Sequence, residues 1–365
     1  MSLRKYVHQI RPIQEKRYTT LKTLIEGSTE AAKEMEFVLV DAAGGDSGKK
    51  EYKALKPFAI KNGFNSSLDL GKKITDTIGL TGKGGYMAPT GTLTKKKWSD
   101  GTSQWTGGNK TPKTDIVLGD KKISLKKGSS QLMSGGPAES LSTYRAAIEN
   151  TTNFNLEGLA KDIEDGIKNL LPSTVSDFMG GADLQKSGGT VYKNTKQKKG
   201  KIGYVAPNTF DKNTVLKNAD NHNLKLKKQF ADLFKNNEEF KKNFVFEAMT
   251  GKVKFDNTIG AADWFLVVDF DGSAEFHQVT SAQDAYVGTI LSKVKPDVKF
   301  KSTAVKKTID GVKDQKTGYY RFWSVVGLGY TAAVKNLKNA YDDYENGNLL
   351  QENFFNRVKG IFRKF

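Results

Sequence analysis

The chain has no cysteine, which excludes disulfides and thiolate metal sites. Histidine is scarce. His8, His222 and His277 are the whole supply, so a histidine-rich metal centre is not expected. No Ser/His/Asp or Cys/His nucleophilic set can be assembled from three histidines in unsuggestive contexts. No apolar run reaches membrane-spanning length, and the N-terminal residues carry no secretory h-region. A soluble protein without a membrane partner is expected. Gly82-Lys83-Gly84-Gly85 lacks the spacing of a phosphate-binding P-loop. Asp269-Phe270-Asp271-Gly272 lacks the later acidic ligands of a calcium loop and reads as a hairpin turn. There is no internal repeat of fixed period.

What is abundant is positive charge. Fifty-eight Lys and Arg stand against 40 Asp and Glu, a net charge of +18, and most of the excess is lysine. A surplus of this size points to a polyanionic partner, with nucleic acid first. The 365 residues are enough for a large core and for two domains.

The periodicity predicts a helix opening at Ser28-Thr29-Glu30 and stopping at Gly44-Gly45. Residues 46–109, rich in Gly, Lys and Thr, read as an irregular excursion with Trp98 and Trp105 as anchors. Two short strands follow, joined by a tight turn at Gly119-Asp120. Pro137 starts a helix at a first-turn position, and another amphipathic helix fits 155–171. Residues 180–204, with Gly-Gly pairs and a lysine run, form a charged loop and a boundary. Beyond it come a helix over 213–244, strands at 262–270, 274–280, 296–304 and 318–331, and a helix over 333–364.

The most informative stretch is the pair of strands around Gly119-Asp120. One carries Asp115, and the next ends in Lys126. Alternation puts Ser124 and Lys126 on one face of that second strand. An acidic residue and a lysine on neighbouring strands suit metal-dependent phosphodiester cleavage. The carboxylate holds a divalent cation, which polarises phosphate and acidifies water. The lysine positions the water or offsets charge building on phosphorus.

In this layout, Asp115…Ser124-x-Lys126, the chain resembles the PD-(D/E)xK nucleases. It departs from them at Ser124, where Asp or Glu is usual. Serine is a poor ligand, so a second carboxylate must come from elsewhere. Glu36 is one donor, because a glutamate on the opening helix recurs in that family. Glu247 is the other. It sits at the end of an apolar helix, where an anion is disfavoured and a cationic partner or metal is expected. The resemblance further implies Mg²⁺ or Mn²⁺ as cofactor, the Leu125 carbonyl as an added ligand and Gln131 as an orienting group. Lys110, Lys113, Lys127 and Arg145 are expected to contact phosphates. Lys196, Lys198 and Lys199, in the 193–201 lysine cluster, are expected to neutralise DNA.

Longer strings, Thr111 to Gly136 and Glu247 to Phe255, are similar to role-unassigned proteins of T4-like tailed bacteriophages. That resemblance implies a phage source, action in the infected host's cytoplasm or association with the virion, and other virion proteins as further partners. The expected fold is α/β: a restriction-endonuclease-like mixed sheet flanked by helices, with an additional α+β C-terminal half. The expected division is 1–175 as nuclease-like core, 176–204 as basic linker and 205–365 as the C-terminal region completing the site. The expected function is metal-dependent hydrolysis of DNA phosphodiesters. The alternative is a non-catalytic phage structural or DNA-binding protein retaining such a sheet, and a third class is an inhibitor of a host enzyme.

Overall fold

The computed structural model describes residues 31–89, 98, 112–133, 137–155, 157–168, 191–193, 202–204, 212–256, 258–309 and 312–331. Residues 1–30, Trp105, Lys110, Lys196, Lys198, Lys199 and the C-terminal helix expected at 333–364 lie outside them.

Helix α1 covers 31–42. Its apolar stripe, Ala31, Met35, Val38 and Leu39, recurs at helical spacing and is buried. The chain leaves it through Gly44, whose φ of +86° suits glycine alone among ordinary residues. Two helices follow where an irregular excursion was expected: α2, Lys56–Lys61, and α3, Ser67–Thr77. The α3 start is encoded locally. The Ser66 side chain accepts from the Asp69 N–H, and Leu70 and Ile74 then bury one face. Gly71 lets α3 close on α1, because a Cβ there would collide with Val38 Cγ1.

A five-stranded mixed sheet forms the centre. Its strands are β1 (Gly85–Met87), β2 (Ile116–Leu118), β3 (Lys121–Lys127), β7 (Trp264–Val268) and β8 (Ala274–Gln278), in that spatial order. All neighbours are antiparallel except β3 and β7, which run parallel. The β2–β3 hairpin turns at Gly119, φ +60°, as its sequence predicts. Strand β1 falls where the sequence reads as turn-dense.

Strand β4 (Ser129–Gln131) leads into α4 (Pro137–Glu149) and then α5 (Gly158–Lys168). Within the stretch that reads as a charged loop, β5 (Val191–Lys193) pairs antiparallel with β6 (Ile202–Tyr204). The helix expected over 213–244 is two helices, α6 (Lys212–Asn236) and α7 (Glu238–Thr250). Asn237 separates them by capping the Phe240 N–H. Helix α8 (Ala285–Lys293) follows β8. Then a long antiparallel pair, β9 (Val294–Ile309) and β10 (Val312–Thr331), picks up β4 at its base.

The sheet separates two apolar layers. Ile116, Ile123, Leu125, Leu266 and Val268 face α1 and α3. Phe265 and Val267 face α4 through α8, where Tyr144, Phe230, Phe240 and Phe244 pack as a cluster of tilted and edge-on rings. Because β3 pairs with β7, and β4 with β10, the stretches 1–175 and 205–365 share both larger sheets rather than forming separate cores. Among the described residues no helix is long and apolar enough to cross a membrane.

Candidate active site

Asp115 lies one residue before β2, where the chain diverges from the strand that carries Lys126. Pro112 has no N–H to offer. The Lys113 and Thr114 N–H groups both donate to Gly260 O, and Thr114 Oγ1 donates to Ala261 O. The chain entering β2 is therefore held by the loop before β7 and not by β3. The main chain of Asp115 rejoins the sheet from both sides, donating to Ile123 O at 2.8 Å and accepting from Ala88 N at 3.2 Å. The divergence leaves the Leu125 N–H for a side chain. It donates to Asp115 Oδ2 at 2.7 Å.

Lys126 completes the corner. Its Nζ lies 3.5 Å from Asp115 Oδ2 and donates to Leu125 O at 3.0 Å. A cation thus already bridges the carboxylate and the backbone carbonyl that the family resemblance marks as metal ligands. Helix α1 adds Glu36. Burial, and then the Asp115 charge, push its carboxyl up to about 8; Lys126 and Lys33 oppose this.

These groups share one cavity of about 480 Å³. Lys33, Glu36 and Phe37 come from α1, Met87 and Ala88 from the end of β1, Asp115 and Lys126 from the hairpin. Gln131, exposed on β4, and Leu132 and Glu139 line it as well. Two carboxylates, Glu36 and Asp115, with the Leu125 carbonyl make a hard oxygen donor set. Mg²⁺ is commonly held by one or two carboxylates while keeping several waters, so the residues fit that ion. Among the described residues no group of three or more His, Asp or Glu forms a ready-made metal cage.

Other candidates lie elsewhere. Glu247, fully buried at the end of α7, accepts from Val253 N at 3.0 Å and Lys254 N at 2.9 Å, closing the turn at Gly251. Burial pushes its carboxyl up, and Lys254 opposes this. Lys254 itself is brought down to about 7 by burial and by Lys113. Lys113 reaches the cavity wall, but its ammonium is buried, donating to Leu132 O at 2.6 Å and Glu139 Oε1 at 2.7 Å. Lys127 points to the other side of β3, with Nζ 5.5 Å from the Phe270 ring centroid.

Arg145 holds a structural place instead of the expected phosphate contact. It is 3% exposed, and Nη1 donates to both oxygens of Glu164, at 2.8 and 2.9 Å. Arg145→Ala would take both of these charge-assisted hydrogen bonds from the buried Glu164 carboxylate. We expect a loss of about 3–5 kcal/mol in urea unfolding.

Ser124 sits one residue beyond the Ile116–Ile123 pair, opposite Asp115, and is fully buried. Its Oγ has no hydrogen-bond partner among the described residues. Ser124→Ala is therefore expected to leave thermal stability unchanged or up to about 1 kcal/mol higher, and to leave any metal-dependent activity intact. A large loss of activity would make the hydroxyl a working group.

Sequence reasoning missed Lys33, Phe37, Met87 and Glu139 as cavity residues. Lys33 had a signal, standing one helical turn before Glu36. Met87 and Glu139 had none, since tertiary packing alone brings β1 and α4 to this corner. No protein-family model, no curated protein and no solved structure matches this chain.

Proposed function

We propose that this cavity is the centre of a metal-dependent nuclease of PD-(D/E)xK type that hydrolyses DNA phosphodiesters. The observation that carries the reading is the meeting of Glu36, Asp115 and Lys126 on one cavity, from an opening helix and two neighbouring strands. The mixed sheet with α1 on one face and α4 on the other supports a restriction-endonuclease-like core. The geometry favours Glu36 over Glu247 as the second carboxylate, because Glu247 is engaged by backbone donors away from the cavity.

Glu36, Asp115 and the Leu125 carbonyl would hold Mg²⁺ or Mn²⁺. Bound there, the ion supplies Lewis-acid polarisation of phosphate and a more acidic water. Asp115 is fixed by its main-chain bonds and by the Leu125 N–H, so its free lone pairs keep one direction. Lys126 offers its ammonium where charge builds on the phosphoryl oxygens. Gln131 orients substrate. The +18 charge supplies the general attraction to the polyanion, which makes binding fall steeply with salt. The resemblance of the 111–136 and 247–255 strings adds a tailed-phage source and the infected cell's cytoplasm as the place of action.

The test is cleavage of plasmid DNA with Mg²⁺ or Mn²⁺, stopped by EDTA. Lys126→Ala is expected to slow it by about 100-fold or more while metal binding persists, because the lysine acts in the transition state. Cleavage that survives EDTA would remove the metal from the reading. Ser124, standing where the family has an acid, favours the second reading, a DNA-binding phage protein that keeps the sheet without the chemistry. Salt-sensitive binding with no cleavage in any metal selects it.

A further inference from the structure

The cavity lining carries two kinds of side chain: a charged group, Glu36, Asp115 and Lys126, and apolar ones, Phe37, Met87 and Pro112. The two adjoin through the chain itself. Phe37 follows Glu36 on α1, and the Ala88 N–H bonded to Asp115 O sets Met87 next to the hairpin.

We infer that the cavity takes one unpaired nucleotide of single-stranded DNA, its base against Phe37, Met87 and Pro112 and its phosphate at the charged group. The inference rests on the nuclease reading for the position of the phosphate. About 480 Å³ lies in the range of small-ligand sites, roughly 300–1,000 Å³, and suits one nucleotide. An intact duplex keeps its bases paired and stacked inside, so it presents nothing apolar to such side chains. An unpaired base has an exposed face, and aromatic side chains take it whatever its sequence.

The Phe37 ring is held in advance. Lys49 Nζ lies 5.1 Å from its centroid and 3.1 Å from Glu34 Oε1. Glu34 is itself fixed, accepting from the Ala54 and Leu55 N–H groups at 2.9 and 3.3 Å. A ring ordered before the ligand arrives loses little freedom on binding. Lys33 and Lys126 stand on the same cavity to meet the flanking phosphates.

The experiment uses the full chain in EDTA, so that metal-dependent cutting is suppressed. Binding is measured for a 2-aminopurine-labelled, non-self-complementary single strand and for the same strand annealed to its complement as a blunt duplex. The single strand is expected to bind about tenfold tighter, with a change in 2-aminopurine fluorescence. Phe37→Ala should weaken it by about 5- to 100-fold while duplex binding stays constant. Phe37→Leu, which keeps apolar volume in α1, guards against a folding defect, and Met87→Ala probes the apolar lining from β1. Equal affinity for blunt duplex and single strand overturns the inference. So does single-strand binding indifferent to both Phe37→Leu and Met87→Ala. Phe37-dependent binding without cleavage in any metal sinks the nuclease reading and leaves the nucleotide pocket standing. Cleavage of duplex and single strand at equal rates does the reverse.

Discussion

Asp115→Asn is expected to reduce metal-dependent DNA cleavage by about a thousand-fold and to leave salt-sensitive DNA binding within a few-fold of wild type. Asparagine is the informative substitution because of what Asp115 does for the fold. Its Oδ2 accepts the Leu125 N–H at the point where β2 and β3 diverge. An amide oxygen can still accept that bond, so the strand ends stay in place. The charge is lost, and with it the attraction for a cation and the contact with the Lys126 ammonium. Asp115→Ala removes the acceptor as well and leaves a part-buried N–H without a partner, at a cost of about 1–3 kcal/mol. The two variants together separate chemistry from folding. Equal loss of cleavage with unequal stability is the expected pattern.

The second large effect belongs to Glu36. Its carboxyl is pushed up to about 8 by burial and by Asp115. Without metal, the folded state then holds a proton on Glu36 that the unfolded state has released between about pH 4.5 and 8. Stability therefore falls as pH rises through that window, and the penalty is fully present above 8. Glu36 is partly exposed, which screens the effect to about 1–2 kcal/mol. Glu36→Gln removes the slope, so the metal-free variant should melt above wild type at pH 8–9. Mg²⁺ should restore wild type at that pH and do little for the variant, because the ion competes with the proton for the carboxylate. Cleavage by wild type should rise with pH towards 8, and Glu36→Gln should lose about 100-fold or more. Thermal melts from pH 5 to 9, with and without Mg²⁺, check the stability half. A pH slope identical in wild type and variant would show that Glu36 does not carry the proton.

The hairpin was legible because its signals are local. Ile116, Val117 and Leu118, then Gly119-Asp120, then the alternation of Ile123 and Leu125 state two strands and a turn without help from the rest of the chain. Helix α3 was equally local, with Ser66 three residues before Asp69 and Leu70 and Ile74 behind. The surrounding 46–109 stretch, dominated by Gly, Lys and Thr, masks it. Helix α8 has weaker signals: Asp284 and Lys293 mark its ends, but the Asp284 side chain makes no capping bond. Its β-branched Val287, Thr289 and Ile290 read no better as helix than as strand, and burial against the sheet decides the matter. The parallel pairing of β3 with β7 is tertiary in origin. It joins segments far apart in the chain by matching Ile123, Leu125, Leu266 and Val268 on one apolar face.

The same division runs through the site. Asp115, Ser124 and Lys126 follow from one hairpin, so sequence spacing could name them. The choice between Glu36 and Glu247 depends on which helix end packs against that hairpin. Both glutamates sit in apolar helices, and the pattern of neither says what its carboxylate meets. Likewise Lys113, Lys127 and Arg145 look like free cations in the sequence. Burial against Glu139 and Glu164 gives Lys113 and Arg145 other work, while Lys127 stands half-buried beside Phe270.

The most direct measurement is a Mn²⁺ titration followed by the electron paramagnetic resonance signal of the free ion. Wild type, Asp115→Asn, Glu36→Gln and Glu247→Gln are compared at pH 8. If Glu36 and Asp115 hold the ion, wild type and Glu247→Gln bind alike, and Asp115→Asn and Glu36→Gln each weaken binding by about 10- to 100-fold. Mn²⁺ binding that survives both Asp115→Asn and Glu36→Gln, or that fails only in Glu247→Gln, would contradict a metal centre in this cavity.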